Sequence, residues 1–203
     1  MKLRNFISDS VQLAGLRIIN AAAKSGGYHV NRGIPYGSEP RNQLDHYVLH
    51  TGDAEDKVKR PLVLFIYGGN WQSGHRGNYR FVADTLCSLG YDVVVPDYRL
   101  YPNVRFSGIL ADVRMAITWV MNSEEIDSRR PIYVMGHSAG AQLGSLLCLN
   151  PALLSDLPGA EKRIAAFIGL SGPYDFYPYT EESHWDLFAP QHEYPLSQAV
   201  NFV

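Results

Sequence analysis

Short apolar runs without polar alternation recur along the chain, and such runs are typical of strands that are covered on both faces of a parallel sheet. Four of them lie at residues 61–67, 91–96, 131–135 and 164–170. An earlier segment, residues 44–50, mixes apolar and polar residues in near alternation, which predicts a half-solvated strand at a sheet edge. Residues 28–36 before it are expected to be a short extended segment.

Stretches with helical periodicity separate the apolar runs. Three helices are predicted, at residues 79–89, 109–121 and 139–149. The first places Phe81, Thr85 and Leu89 on one stripe, and Gly90 supplies its C-terminal stop. Because strands and helices alternate, the sequence predicts an α/β fold with a mainly parallel sheet and helices on both faces.

The start of the chain is predicted to be an amphipathic helix at residues 1–27, followed by one α/β domain at residues 28–203. Lys2 and Arg4 precede an apolar stretch that faintly imitates a secretory signal. Polar side chains interrupt that stretch at Asp9, Gln12, Arg17 and Asn20. A helix is therefore favoured over a signal, and a cytoplasmic location is expected by default.

Composition excludes several classes of protein. Of the 203 residues 46% are hydrophobic, so the chain can build a sizeable core and wholesale disorder is excluded. The 18 Lys and Arg against 20 Asp and Glu, with no basic run, predict no nucleic-acid partner. No run of eighteen apolar residues exists, so no membrane span is expected. The two cysteines, Cys87 and Cys148, are interpreted as reduced core thiols.

The strongest candidate for chemistry is Gly136-His-Ser-Ala-Gly140, between a predicted strand and a predicted helix. Small residues two before and two after Ser138 allow a tight turn that lifts the hydroxyl to the carboxyl end of the strand. There the helix N-terminus can stabilise a developing anion. The alternative is an ordinary glycine-rich turn.

A second candidate, Tyr67-Gly-Gly-Asn-Trp71, follows another apolar strand. Its two glycines allow the backbone to turn N–H groups into a site, as an oxyanion hole requires. Read alone, the segment is equally consistent with a simple loop after a strand.

Together with Pro96-Asp-Tyr-Arg-Leu-Tyr-Pro102 and Gly172-Pro-Tyr-Asp175, these motifs resemble the α/β-hydrolase esterases. More narrowly they resemble the carboxylesterase, hormone-sensitive-lipase-like and kynurenine-formamidase-like branch, which carries H-G-G-x-W. The resemblance implies that Ser138 is the nucleophile and that Ala139 N–H is one oxyanion donor. It also implies that the glycine-rich oxyanion loop is formed by Gly68, Gly69 and Asn70. No cofactor and no metal are expected.

Two positions depart from the family pattern. Tyr67 stands where the family has a histidine, and Asn70 stands where many members have a third glycine. The family's histidine shapes the loop and lies outside the triad. Tyr67 is therefore expected to change the packing of the loop without abolishing catalysis.

The acid and the histidine of the triad are the least defined part of the site. In this fold they follow the serine on loops after later strands. The resemblance implies that they lie beyond Val203, and the chain is interpreted as cut short, with its C-terminal strands missing. A set of Ser138, Asp175 and His192 is formally allowed but disfavoured, since no further strand positions a histidine.

The other polar and aromatic residues that could carry chemistry also have structural interpretations. Asp97 and Arg99 are expected to form a structural loop and an ion pair under the site, the alternative being direct contact with the substrate. His46 and His50, four apart on a strand, are separated by roughly 13 Å, too far for one metal ion. The aromatic residues Trp71, Tyr101 and those at 176–194 either line an acyl pocket or cover the core.

Two functions are weighed on this basis. The first is a serine carboxylester hydrolase that acts on a small-molecule ester through Ser138 and a backbone oxyanion hole. The alternative is a non-catalytic hydrolase fragment or a module that binds small acyl compounds. The acyl group, the preference for ester or amide and the oligomeric state are not encoded in recognisable motifs.

Residues 164–170 are also expected to form a sheet edge that is prone to association, because no later strand would pair with them.

Overall fold

Six strands form one mixed sheet in the computed structural model, which describes residues 15, 18–20, 26–50 and 54–203. The strands are β1 (Tyr28–Pro35), β2 (Gln43–Leu49), β3 (Leu62–Ile66), β4 (Asp92–Pro96), β5 (Ile132–His137) and β6 (Ile164–Leu170). Their order is β1-β2-β4-β3-β5-β6. The pairs among β3, β4, β5 and β6 are parallel, whereas β2 is antiparallel to both β1 and β4. The predicted α/β class with a mainly parallel sheet is confirmed.

Helices connect the strands. They are α1 (Ala54–Lys59), α2 (Arg80–Ser88), α3 (Phe106–Asn122), α4 (Ala139–Leu149), α5 (Ala160–Arg163) and α6 (Glu182–Leu187). Short 3-10 segments lie at Arg76–Tyr79, Pro151–Leu153, Gln191–Ser197 and Ala199–Phe202. Residues 15 and 18–20 are helical, but most of the helix predicted at 1–27 lies outside the described residues. Within the described ranges, no helix is long and apolar enough to cross a membrane.

The core lies on both sides of the central strands. Every residue of β3 and β4 is buried, as the apolar sequences at 62–66 and 93–96 predict. The exception in sequence is Asp92 at the start of β4, whose buried carboxylate accepts from the Leu49 backbone N–H and pairs with Arg130. Leu62, Leu64 and Ile66 have no exposed surface. Burying one such side chain contributes about 1.5–3 kcal/mol relative to leaving it in water.

Buried faces were predicted for two helices, and the structure confirms one of these predictions and contradicts the other. On α3, residues Ile109, Val113 and Ile117 are completely buried, which confirms the predicted four-residue periodicity. On α2 the predicted stripe is wrong, since Thr85 is exposed and Leu89 is 67% exposed. Tyr79, Ala83 and Cys87 form the buried stripe instead, at four-residue steps. The reason is that Tyr79, just before α2, is anchored in the core and fixes the rotation of the helix.

The predicted edge position of residues 44–50 is also wrong. β2 lies inside the sheet between β1 and β4, and its polar residues Asp45 and His46 are 3% and 2% exposed. Asp45 accepts hydrogen bonds from the backbone N–H of Gly33 (2.9 Å) and from Nε of Arg76 (2.8 Å). The Asp45 carboxylate therefore finds its hydrogen-bond donors within the protein. Polar residues at alternate positions of β2 do not indicate a face exposed to solvent.

β1 and β6 are the two edges of the sheet. β6 pairs with β5 along its length, and Ile168 and Leu170 are 38% and 42% exposed. The predicted edge position of residues 164–170 is confirmed for the described residues, and its tendency to associate stays a prediction.

Both cysteines are free in this structure. Cys87 on α2 is buried and Cys148 on α4 is half-buried. Burial raises the pKa of each thiol to about 12, so both are protonated and unreactive near neutral pH.

Candidate active site

Ser138 lies alone between the end of β5 at His137 and the start of α4 at Ala139. Its backbone has φ 52° and ψ −121°, a conformation that costs a non-glycine residue on the order of 1–3 kcal/mol. The turn is held because Ser138 N–H donates to the Leu170 carbonyl at 2.8 Å. The predicted strand, sharp turn and helix are present, and half-buried Ser138 occupies the point of the turn.

Glycines allow this turn to close. A Cβ on Gly136 would lie 2.3 Å from the carbonyl oxygen of Gly140. A Cβ on Gly140 would lie 2.1 Å from the carbonyl oxygen of Ile66, at the end of β3. Both distances are far below van der Waals contact, so the backbone of the turn fits only without side chains at these two positions.

The glycine-rich loop after β3 lies directly against this turn. A Cβ on Gly68 would lie 2.9 Å from the Cβ of Ser138. Gly69 has φ 144°, and Asn70 and Trp71 continue the loop with φ 51° and 58°. The structure therefore brings the predicted loop residues and Ser138 together, with Ala139 buried at the start of α4.

Tyr67 replaces the family's histidine with a buried phenol that takes part in a hydrogen-bond network. Its hydroxyl donates to Oδ1 of Asp97 at 2.7 Å and accepts from Nη2 of Arg41 at 3.0 Å. Burial raises the pKa of Tyr67 well above its usual value, so the hydroxyl keeps its proton. The substitution thus keeps a hydrogen-bonding group at the base of the loop.

Two more tyrosines, Tyr79 and Tyr98, hold the chain where β3 leads into the glycine-rich loop. The ring of Tyr67 lies between those of Tyr79 and Tyr98, at centroid distances of 5.1 and 4.8 Å. Tyr98 donates its hydroxyl to the Tyr67 carbonyl at 2.8 Å, and Tyr79 donates to the Gly68 carbonyl at 3.1 Å. These two bonds orient the first peptides of the glycine-rich loop.

The predicted ion pair between Asp97 and Arg99 is not formed, and this corrects the sequence analysis. Asp97 accepts from the backbone N–H of Arg76 at 2.6 Å and also pairs with its guanidinium. Arg99 instead pairs with Asp112 of α3, with Nη2 2.7 Å from Oδ1. The pair does not form because the guanidinium of Arg76 already occupies the space beside the Asp97 carboxylate. Arg99 instead binds both carboxylate oxygens of Asp112.

The segment after β6 folds back over the glycine-rich loop. The Trp71 indole is 3% exposed and donates from Nε1 to Oε1 of Gln142 on α4 at 3.1 Å. Gln142 in turn donates to the Ser197 carbonyl at 2.7 Å. Around Trp71 lies an aromatic cluster whose members contact one another: Phe106, Phe176, Tyr179, His184 and Phe188. Phe176, His184 and Phe188 contact the indole directly. Phe106 and Tyr179 pack behind them against Phe188.

The internal set of Ser138, Asp175 and His192 is not assembled. His192 is 80% exposed, and its Nε2 lies 3.9 Å from Glu193. Asp175 is exposed as well. Throughout the part of the chain that the structure describes, the Ser138 hydroxyl has no hydrogen-bond partner.

His184 on α6 contacts the candidate site, and no pattern in the sequence singled it out. Its Nε2 lies 3.1 Å from Oδ1 of Asn70, within the glycine-rich loop. Burial lowers the pKa of this imidazole below 6.5. The signal in the sequence was Asn70 itself, since an asparagine offers a side-chain acceptor that the family's glycine lacks.

Metal ligation finds no support in the described residues, where no group of three His, Cys, Asp or Glu side chains could hold an ion. His46 is buried, and neither of its ring nitrogens has a hydrogen-bond partner. Its ring meets Trp119 edge-on at 6.3 Å.

Comparison with known proteins gives one family and a consistent fold. The BD-FAE family model matches residues 49–200. Among solved structures, a putative thioesterase from Silicibacter sp. TM1040 superposes with a TM-score of 0.74 at 25% identity, over 94% of this chain and 67% of that one. Esterase B from Lactobacillus rhamnosis superposes with a TM-score of 0.65 at 22% identity, over 85% and 57%.

Curated relatives match over most of this chain but over a small part of their own. A probable isoprenylcysteine alpha-carbonyl methylesterase from Arabidopsis thaliana is 32% identical over 161 residues, 76% of this chain and 37% of that protein. Esterase LipC from Mycobacterium tuberculosis is 32% identical over 73% of this chain and 38% of its own length. A kynurenine formamidase from Drosophila melanogaster is 30% identical over 57% and 38%. The chain thus spans little more than a third of the length of these relatives.

Proposed function

Since the chain belongs to the BD-FAE family of α/β-hydrolase esterases, we propose that it hydrolyses small acyl esters with Ser138 as nucleophile. The observation that carries this proposal is the backbone of Ser138, which has φ 52° and lies against Gly68. A protein gains nothing in stability from a strained serine at the carboxyl end of a strand, so the strain points to function.

The reaction follows from the positions of these groups. The Ser138 oxygen attacks the ester carbonyl, and its proton passes to a general base. The new oxyanion is held by backbone N–H groups of the loop, Gly68, Gly69 and Asn70, and by that of Ala139 at the start of α4. As the tetrahedral intermediate collapses, the base returns its proton to the leaving oxygen, so the alcohol departs and an acyl-serine remains. Water then hydrolyses the acyl-serine to the carboxylic acid and free Ser138.

The general base is the part of this mechanism that the described residues do not supply. A serine hydroxyl is a weak nucleophile near neutral pH and needs a positioned base. An oxyanion hole and substrate binding alone still accelerate the reaction about 10³–10⁴-fold over water. We therefore expect these 203 residues to hydrolyse activated esters slowly.

The second candidate is a module that binds small acyl compounds without turning them over. It is favoured by one observation, that within the described ranges no side chain hydrogen-bonds the Ser138 hydroxyl. Such a module would use the same loop to bind a carbonyl oxygen but would release the compound unchanged.

Hydrolysis of p-nitrophenyl acetate separates the two candidates. The comparison uses the chain itself, Ser138→Ala, and Ser155→Ala as a control at an exposed serine. We expect a slow rate that Ser138→Ala abolishes and Ser155→Ala leaves unchanged. Equal rates in all three proteins would contradict the proposal, and saturable binding of the ester without release of nitrophenol would favour the binding module.

Two finer points belong to the same proposal. The relatives' names include both methylesterases and a formamidase, so a p-nitroanilide run in parallel decides between ester and amide. The proposed location is the cytoplasm, where the free thiols of Cys87 and Cys148 would stay reduced.

A further inference from the structure

Helix α6 lies against the glycine-rich loop through several different contacts. The ring of His184 meets the Trp71 indole edge-on, with centroids 5.4 Å apart. Phe188, one turn further along, meets the same indole at 5.1 Å. Beside them, Nε2 of Gln72 lies 3.4 Å from the hydroxyl of Ser183. The loop is therefore held from outside by a segment more than 100 residues away in sequence.

The contact between His184 and Asn70 is the most directional of these. An amide oxygen only accepts hydrogen bonds, so the imidazole donates from Nε2 to Oδ1 of Asn70, at 3.1 Å. His184 is 9% exposed, and burial lowers its pKa, so the ring is uncharged near neutral pH. Glu181, just before α6, is the charged group that acts on it. The surrounding rings of Trp71, Tyr179 and Phe188 are uncharged.

Asn70 lies in a backbone conformation that most non-glycine residues avoid. Asn70 and Trp71 are two consecutive non-glycine residues with positive φ, 51° and 58°. Such residues persist only where the surroundings over-determine them. The side chain of Asn70 is held by His184, and that of Trp71 by Gln142. A glycine at position 70 would adopt the same φ more easily but would give His184 nothing to bind.

We propose that His184 is a positioning residue that fixes the glycine-rich loop through the side chain of Asn70. The proposal rests on the proposed function, because the backbone of this loop supplies the oxyanion donors. His184 touches neither the ester nor Ser138 in this role. It keeps the N–H groups at Gly69 and Asn70 aimed at the place where the negative charge develops.

Kinetics of substituted chains test the proposal. His184→Phe keeps a buried ring and removes the donor, whereas His184→Gln keeps an N–H group that can reach Asn70. We expect His184→Phe to lower kcat for p-nitrophenyl acetate about 10- to 100-fold with KM nearly unchanged, since a misplacement of about 1 Å costs up to 100-fold. His184→Gln should recover most of that loss, and His192→Phe, at an exposed histidine, should have no effect.

A double substitution shows whether the effect passes through Asn70. Asn70→Gly leaves the backbone N–H in place and removes the side-chain acceptor, and a glycine tolerates the positive φ at this position. If His184 acts through that acceptor, adding His184→Phe to Asn70→Gly lowers kcat no further. A further drop of the same size as in the original chain would overturn the proposal.

Amide hydrogen exchange gives a readout that does not need activity. The N–H groups of Gln72 and Ser73 both donate to the Gly69 carbonyl, at 3.0 and 2.9 Å. Their exchange should quicken at least tenfold in His184→Phe and return close to the original rate in His184→Gln. Unchanged exchange in His184→Phe would overturn the inference even if the ester is hydrolysed. Quickened exchange together with hydrolysis that does not depend on Ser138 would support the positioning role of His184 and refute the proposed function.

Discussion

The stability of the fold should fall between pH 6.5 and pH 4 because of His46, which is buried in β2. The residue is 2% exposed, and neither ring nitrogen has a hydrogen-bond partner. Burial lowers the pKa of its imidazole to about 4. The nearest carboxylate, Glu125, lies 3.8 Å from Nδ1, but its side chain is 58% exposed. Solvent screens that charge, so it offsets little of the cost of burying a charged imidazole.

The sign and size of the effect follow from proton linkage. Above pH 6.5 neither the folded nor the unfolded chain binds a proton at His46. Between pH 6.5 and pH 4 the unfolded chain binds one and the folded chain does not, so the free energy of unfolding falls as the pH falls. Each pH unit costs about 1.4 kcal/mol, and the total by pH 4 is about 3 kcal/mol. Below pH 4 both states bind the proton and the loss stops.

Urea unfolding of the chain and of His46→Phe, at pH 7 and at pH 4.5, measures this contribution. For each protein, the loss is its free energy of unfolding at pH 7 minus that at pH 4.5. The loss of His46→Phe is then subtracted from the loss of the original chain. Any packing cost of the larger ring is the same at both pH values and cancels. We expect the difference to be about 2 kcal/mol. His192→Phe is the matched control, because His192 is 80% exposed and should keep the original pH dependence. Equal losses in the original chain and His46→Phe would refute the reasoning.

Two further substitutions test the structure around the candidate site. Gly140→Ala would place a Cβ 2.1 Å from the Ile66 carbonyl oxygen, so urea unfolding should show that the free energy of unfolding falls by about 3 kcal/mol. The control is Gly26→Ala, whose Cβ would meet no atom within 4 Å and should cost about 0.5 kcal/mol or less. Equal effects would show that the turn is not as tight as described. Tyr67→Phe removes a hydroxyl bound to a buried carboxylate and should cost about 1–3 kcal/mol, whereas Tyr177→Phe, at a side chain 48% exposed, should cost little. A stable Tyr67→Phe variant would mean that the network does not hold the loop.

Local features of the fold could be predicted from the sequence because their causes are local. The bounds of α4 and β6 follow from residues that are next to one another in the chain. The turn at Ser138 is recognisable because the two glycines that permit it lie two residues away on either side. α3 shows its buried face through an apolar residue at every fourth position.

The features that sequence reasoning missed depend on partners distant in the chain. β2 was placed at an edge because Asp45 and His46 are polar, but β1 pairs with its outer side. Arg76 covers Asp45 and Trp119 on α3 covers His46, and both partners are distant in the chain. Asp97 was paired with its near neighbour Arg99, whereas its partner comes from the 3-10 segment at Arg76–Tyr79. The bond between His184 and Asn70 spans 114 residues, so no local pattern reveals it.

In the proposed function, this fold makes Ser138 the reactive hydroxyl of the chain. The most direct test of this role is to incubate the folded protein with an activated alkyl phosphonate and to locate the adduct by peptide mass spectrometry. We predict one adduct, on the peptide that contains Ser138. It should form when the reagent is added to the folded chain and should not form when urea has unfolded the chain beforehand, because the reactivity belongs to the turn and the loop. Adducts spread over other serines, or equal labelling of folded and unfolded protein, would contradict it.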